Sequence, residues 1–483
     1  MADISRRGFI GGAAAFMGLA GCRSFLASSG RPAVSFGVIS DPHITTPEST
    51  FVLERTLRYF RDRKVDAVMI CGDLSDWGLL SGFKYIAEAW NRVFPGDRAA
   101  DGRRVQRLFC TGNHDFEGFW YGDMTADMHA QGYSEDEALV RLGMKKCWEE
   151  AFQEEYADIR RRTVNGYDFV SAEWPEGKSD TGFRLAPAWF AANGASIDPS
   201  KPFFYFQHPP VGGTVLPGPA SPDAVTAALS PFGNAVAFTG HYHTTLNCGR
   251  SIWQGAFTSI SVPSLSYTSV PRGYENGGDE RTKRPTRDMP IIPVRFWFEE
   301  AQGFVVSVFP DKMVVERRDF TQCEEAGAAW LVPLGGGEKP YTFEAHAART
   351  PVPQFPEGAG VRTRITNTED RGGHWEIVLV AEFPAADAVK GARAFDYEIR
   401  AVPSDGSEPM VKRFLSPAFH KLPKDEPKSL RFWMDVLDLP QDREYRIEVY
   451  PRNSFGVCGR PLVGAPRRGA PGGAKVRPAA KNA

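Results

Sequence analysis

Several things are scarce in this 483-residue chain, and each shortage closes off a class of function. Cysteine is scarce: there are seven, none arranged as Cys-x-x-Cys, so neither a disulfide scaffold nor a thiolate zinc site organises the protein. A basic excess is absent, because Lys plus Arg is 57 against 59 Asp plus Glu, a formal charge of −2. A protein that lives on nucleic acid normally shows the opposite balance, and this counts against one. Apolar runs are short, the stretch Phe9–Ala20 falling below the ~20 residues of a bilayer-crossing helix. With 42% hydrophobic and 12% aromatic residues, pervasive disorder is excluded as well. Histidine is the last shortage: there are only nine, and their positions carry the argument.

The N-terminus reads as an address. Ser5-Arg6-Arg7-Gly8 precedes the apolar stretch, as in a twin-arginine export signal, and Leu19-Ala20-Gly21-Cys22 resembles a bacterial lipobox. Residues 1–22 are therefore expected to be an export signal of the lipoprotein type, cleaved before Cys22. Cys22 is the expected lipid attachment point, residues 23–32 a tether, and the cell envelope of a bacterium the expected location, with the membrane as partner.

Beyond the tether, strand-length apolar runs alternate with helical spacing. Runs begin at Ala33, Asp66, Val105, Phe203 and Ala235, with amphipathic helices at Ser49–Lys64 and Gly82–Phe94. The pattern predicts a layered α/β domain over residues 33–325, with further strands in Ile252–Ile260 and Val294–Phe320. An insertion at 116–182 reads as a cap. In it, Ser134 to Glu137 forms a capping box, and Leu139, Leu142, Cys147, Trp148, Phe152, Tyr156 and Ile159 recur at helical spacing. Trp120 and Tyr121 are set aside as candidate substrate contacts. The polar loop 266–290, with Arg272, Arg281, Lys283, Arg284 and Arg287 among four acidic residues, reads as solvated.

After Gly335-Gly336-Gly337 a second, all-β domain is expected over 350–464, with strands starting near Trp375, Phe395, Lys412, Leu430 and Glu444. The segment Leu439 to Gly456 resembles the penultimate-strand region of fibronectin type III modules. Residues 465–483, rich in Pro, Gly and Ala, are expected to be a disordered tail.

Chemistry concentrates where the core strands end. The first strand leads into Asp41-Pro42-His43, the second into Gly72-Asp73-Leu74-Ser75-Asp76, and the third into Gly112-Asn113-His114-Asp115. The fourth ends at His208-Pro209-Pro210 and the fifth at Gly240-His241-Tyr242-His243. The carboxyl ends of strands in an α/β sheet share a crevice, so these side chains can converge. Any one of these fragments is unremarkable. All five in this order, holding five of the nine histidines, form a pattern of metal-ligand residue types. Cys71 and Cys110 sit beside them and read as buried strand residues.

In these motifs the chain resembles the calcineurin-like metallophosphoesterase superfamily over about residues 34–320. The Gly-Asp-Leu-Ser-Asp and His-Pro-Pro contexts are closest to its cyclic-nucleotide-phosphodiesterase-like branch. The resemblance implies an α/β fold in four layers, a β-sandwich flanked by helices. It implies two transition-metal ions, from among Mn, Fe, Co, Ni and Zn. Asp41, His43 and His243 would hold one, Asn113, His208 and His241 the other, and Asp73 would span both through its two carboxylate oxygens. It further implies hydrolysis of a phosphate ester, a diester in preference, by a hydroxide held between the metals, with His114 as general acid. Asp76 would orient His114. Asp115 either assists catalysis or stabilises the turn. Purple acid phosphatases carry Tyr where this chain has Asp76, which separates it from that branch.

Other readings stay open: a monoesterase or nucleotidase of the same superfamily, a nuclease of the same fold, or a surface-anchored binding protein with a decayed core. The presence of all seven expected ligands and of His114 counts against decay.

Overall fold

The structure, a computed structural model, describes residues 30–216, 220–271, 273–278, 292–293, 301–369 and 375–468. The expected signal with Cys22, most of the tether, the basic cluster Arg281 to Arg287, residues 294–300 and the end of the tail lie outside the described residues. No helix among the described residues is long and apolar enough to cross a membrane.

Two six-stranded sheets face one another. Their strands, in chain order, are β1 (Val34–Ile39), β2 (Ala67–Cys71), β3 (Gln106–Cys110), β4 (Ile159–Val164), β5 (Tyr167–Ala172), β6 (Phe203–Gln207), β7 (Ala235–Thr239), β8 (Ile252–Gln254), β9 (Thr258–Ser261), β10 (Gln302–Val308), β11 (Lys312–Asp319) and β12 (Glu324–Pro333). The first sheet runs β12-β11-β10-β1-β2-β3 and the second β4-β5-β6-β7-β9-β8. Strands β1, β2 and β3 are parallel, with Ile39 beside Ile70 and Cys71 beside Cys110, so their carboxyl ends emerge level. Strands β6 and β7 are likewise parallel, with Gln207 beside Thr239.

Side-chain alternation builds the layers. Phe36, Val38, Met69, Cys71, Leu108 and Cys110 point into the space between the sheets, where they meet Phe169, Phe204, Phe206 and Phe238. Phe36 touches three of those rings edge-on, at centroid distances of 4.8 to 5.9 Å. Ile39, Val68, Ile70 and Phe109 point outward onto helices α1 (Thr50–Asp62) and α2 (Leu80–Val93). On the other side, Val170, Phe203, Tyr205 and Ala237 meet the helices Ala186–Asn193 and Asp223–Leu229. The result is the expected four layers, helix, sheet, sheet, helix.

Three expectations are corrected. The predicted cap 116–182 is not one unit, because its second half supplies β4 and β5 to the second sheet. The signal was Asn165-Gly166 between two strand-length runs. Asn165 has φ 49° and Gly166 φ 78°, as a two-residue hairpin turn requires. The predicted long helix from Ser134 is instead a capped turn, Glu135–Glu137, then Leu139–Leu142, then Met144–Phe152. Gly143 at φ 91° breaks it and Gln153 at φ 52° ends it, so Tyr156 and Ile159 fall outside. The catalytic domain also runs past residue 325, since β12 pairs with β11 as far as Pro333.

The C-terminal domain is all-β. Strands Arg362–Glu369, Trp375–Pro384 and Ser429–Asp435 form one sheet. Strands Asp396–Pro403, Met410–Leu415, Glu444–Arg452, Leu462–Val463 and Arg467–Arg468 form the other. Its docking surface is specific: the Asn276 amide exchanges two hydrogen bonds with the Leu415 backbone at 2.8 and 3.0 Å. Cys248, Phe395, Leu415 and Phe419 form an apolar contact beside it.

Candidate metal centre

The strand-end residues leave the sheets by sharp turns. Asp41, His43, Asp73, His241 and His243 all have positive φ, between 47° and 73°. Asp and His tolerate this left-handed region better than most residues, and such strain gathers at functional sites. Hydrogen bonds hold the turns: Asp41 N–H donates to Gly72 O and His43 N–H to Asp73 O, at 3.0 and 3.1 Å. Ser264 and Ser266 both donate to the Asp41 carbonyl. The glycines serve mainly to make room. A Cβ on Gly72 would lie 2.4 Å from His208 Nδ1, and one on Gly112 would lie 2.2 Å from Asp73 Oδ1.

These turns bring residues 200 positions apart into contact. His43 Nε2 lies 3.3 Å from His243 Nε2, and His243 Nε2 lies 2.8 Å from Asp41 Oδ1. With Asp73 they form a buried group whose ligand atoms all lie within 4.8 Å of one another. A second group adjoins it. Asn113 Oδ1 is 3.0 Å from both His208 Nε2 and His241 Nδ1, and His208 Nε2 is 3.1 Å from Asp73 Oδ2. Asp73 Oδ2 is also 3.7 Å from His43 Nε2, so it faces both groups. Asp73 Oδ1 does not, because it accepts the backbone N–H of His114 at 2.9 Å. Asp73 thus presents Oδ2 to both groups, while Oδ1 is held by the His114 backbone.

Outer contacts aim the imidazoles inward. His208 Nδ1 faces Cys71 O at 2.8 Å, His243 Nδ1 faces Tyr267 O at 3.1 Å, and His43 Nδ1 faces Asp76 Oδ1 at 2.7 Å. Each ring can donate outward from Nδ1, which leaves the Nε2 lone pair for the interior. Tyr267 also packs on the His243 ring at 4.0 Å, and Trp174 lies 6.0 Å from His208 and 6.2 Å from His241.

A cation suits this arrangement. Asp41 Oδ1 is buried and accepts no hydrogen bond, although His243 Nε2 is 2.8 Å away. Lone pairs pointed at one another without a shared proton repel unless a positive charge lies between them. The electrostatics agree. Burial alone would raise Asp41 and Asp73, but the facing imidazoles outweigh it and hold both carboxyls below their usual range. Burial depresses His241 to about 4, with His208 adding to it, so the ring is neutral and free to ligate. Mixed imidazole, carboxylate and amide donors match first-row transition metals.

His114 stands at the open edge of the site, its side chain 12% exposed while His43, His208 and Asp41 are fully buried. Its Nδ1 lies 3.0 Å from Asp76 Oδ1. Burial works against a charged ring, but Asp73 and the Asp76 hydrogen bond outweigh it and raise His114 to about 10. Asp76 therefore serves two rings, His43 and His114, where only the second was expected. Asp115 is fully buried, and its two oxygens accept N–H groups from Leu74, Ser75 and Gly112. That is the geometry of a turn clasp. Burial and Asp73 raise its carboxyl to about 7. Tyr121, set aside as a substrate contact, instead puts its hydroxyl on the Asn113 amide at 3.1 Å, while Trp120 is 63% exposed.

Sequence reasoning did not identify Tyr267 or Trp174 as parts of the site. Tyr267 contributes its ring and its backbone carbonyl to His243, and no residue type signals the carbonyl contact. Cys71 and Cys110 point between the sheets, where burial pushes both thiols well up, and all six described cysteines are free.

Residues 34–245 match the family described as calcineurin-like phosphoesterase. No curated protein matches the chain. Among solved structures, similarity extends to a dimetal phosphatase from Danio rerio, at 13% identity and TM-score 0.37, over 63% of this chain and 100% of that one. GAP50, the anchor in the inner membrane complex of Plasmodium, is 10% identical with TM-score 0.37, over 65% and 93%. A purple acid phosphatase from yellow lupin (Lupinus luteus) seeds is 12% identical with TM-score 0.36, over 65% and 55%. The motif-bearing strands fall inside the matched family segment, and the chain therefore carries a calcineurin-like phosphoesterase domain, the catalytic domain of a hydrolase acting on phosphoric esters.

Proposed function

We propose that this chain is a dinuclear metal-dependent phosphoesterase that favours phosphodiesters. The observation that carries the reading is Asp73 Oδ2, which lies between two complete donor groups, 3.7 Å from His43 Nε2 and 3.1 Å from His208 Nε2. Asp41, His43 and His243 would hold one ion, Asn113, His208 and His241 the other, and Asp73 would serve both. Two such cations, when bound, neutralise phosphoryl oxygens and acidify a water to a pKa of about 7. The chain's own residues then orient and protonate. His114, on the open edge, gives its proton to the departing alkoxide. Asp76 holds that ring by its Nδ1, and the Asp73 carboxylate fixes the His114 backbone. The preference for diesters rests on the Gly72-to-Asp76 and His208-Pro209-Pro210 contexts.

The same proposal places the protein at a bacterial envelope, held on the membrane through a lipid on Cys22 after export, as the Arg6-Arg7 leader suggests. The C-terminal sandwich is proposed to be fibronectin type III-like. Support comes from its two antiparallel sheets, of three and five strands, and from buried Leu439 and Tyr445.

The test is hydrolysis by metal-reconstituted full-length protein. Bis-(p-nitrophenyl) phosphate is compared with p-nitrophenyl phosphate under Mn, Fe, Co, Ni and Zn. Faster turnover of the diester is expected. No turnover of either ester with any metal would overturn the reading.

A further inference from the structure

The Asn113 amide is held from outside the donor group. Its Nδ2 donates to the Tyr121 hydroxyl at 3.1 Å, and that hydroxyl donates to Glu117 Oε2 at 3.2 Å. Polarity along this row runs in one direction. A carboxylate only accepts, so the Tyr121 hydroxyl spends its one proton on Glu117. Its oxygen is then left as an acceptor, which only the NH2 end of the amide can satisfy. Asn113 must therefore turn Nδ2 outward and Oδ1 inward.

Inward orientation needs such a device. Oδ1 lies 3.0 Å from both His208 Nε2 and His241 Nδ1. When those nitrogens offer lone pairs, as ligands do, they would draw the NH2 end of the amide toward themselves. A flipped amide presents hydrogens where a cation needs an oxygen donor. Nothing within the donor group prevents that flip.

We infer that Tyr121, with Glu117 behind it, is a positioning residue that fixes the Asn113 amide with its oxygen toward the second metal position. This rests on the two-metal reading above. Tyr121 belongs to the segment that follows the Gly-Asn-His-Asp motif, so part of the insertion tunes metal affinity. The Tyr121 ring also packs on His114 at 4.9 Å, and removing the hydroxyl alone leaves that contact in place.

The experiment is Co2+ binding to chelator-stripped full-length protein, read by calorimetry and visible absorption, in wild type, Tyr121→Phe, Asn113→Asp and the double variant. Tyr121→Phe is expected to weaken one of the two binding steps by about tenfold or more, as loss of an outer hydrogen-bond partner does, and to spare the other. Asn113→Asp presents an oxygen inward whichever way it turns. Adding Tyr121→Phe to it is therefore expected to cause no further weakening. Unchanged binding of two Co2+ in Tyr121→Phe would overturn the inference. Equal weakening in both backgrounds would also overturn it, since that marks a packing role. Wild type taking fewer than two Co2+ would instead remove the two-metal reading itself, and the inference with it.

Discussion

The backbone N–H of His114 donates to Oδ1 of Asp73 at 2.9 Å, so one carboxylate both adjoins the two donor groups and sets the position of the proposed proton donor. Asp73→Asn keeps an oxygen for that bond and replaces Oδ2 with an amide nitrogen that cannot ligate. Transition-state charge stabilisation by metals is worth several kcal/mol. The variant is expected to fold normally and to lose about 1000-fold in kcat or more, at 1.36 kcal/mol per tenfold. Circular dichroism and steady-state kinetics check the two halves.

His114→Ala isolates proton donation. A general acid contributes about 10²–10⁴-fold, and only where the leaving group needs a proton. The loss should be of that size for an alkyl phosphate ester and much smaller for a p-nitrophenyl ester, whose phenolate leaves unprotonated. Parallel kinetics on the two esters measure the ratio, and equal losses would show that His114 acts otherwise.

Asp76→Asn should be broader in effect, because Asp76 contacts His43 as well as His114 at 2.7 and 3.0 Å. A metal titration is expected to show affinity falling about 10–100-fold alongside kcat. His114→Ala should leave metal affinity unchanged, which separates the two roles.

A pH effect is expected away from the metal centre. Burial, with Arg349 and Arg317 adding to it, lowers His346 from 6.5 to about 4. The ring packs against Tyr341 and Phe455, the latter in the C-terminal domain. With a folded value below the unfolded one, the unfolded chain takes up the proton first on acidification. This contribution to stability is therefore full above about pH 6.5 and is lost as pH falls toward 4. Urea midpoints at pH 7.5 and pH 5 should fall further in wild type than in His346→Phe.

Much of the site was legible because its donors sit in short local motifs at strand ends, each within three residues of a glycine or proline that forces a turn. Convergence of His43 with His243 needed more than parallel strand order, because β1 and β7 belong to different sheets and meet only where the two sheets face one another. What escaped the sequence was relational. Asp76 could be assigned to His114 but not also to His43, since that depends on two rings approaching one carboxylate. The outward partners of His208 and His243 are backbone carbonyls of Cys71 and Tyr267, which any residue could supply. Ile159 continued a helical spacing by coincidence, while Asn165-Gly166 carried the stronger local signal for a hairpin.

Cation binding should also stabilise the fold, because Asp41 Oδ1 is buried without a hydrogen bond. Ligand at about 100 times Kd adds about 2.7 kcal/mol. Calorimetric scans with and without chelator should differ by ~3–5 °C for a domain of this size.

The central claim is that two donor groups share one Asp73 oxygen, and metal content tests it most directly. The full-length protein is stripped with chelator, reconstituted separately with Mn, Fe, Co, Ni and Zn, desalted and analysed by plasma emission. The account predicts two ions per chain for at least one of these metals, and fewer than two in Asp73→Asn. One ion or none in wild type with every metal, or two retained in the variant, would contradict it.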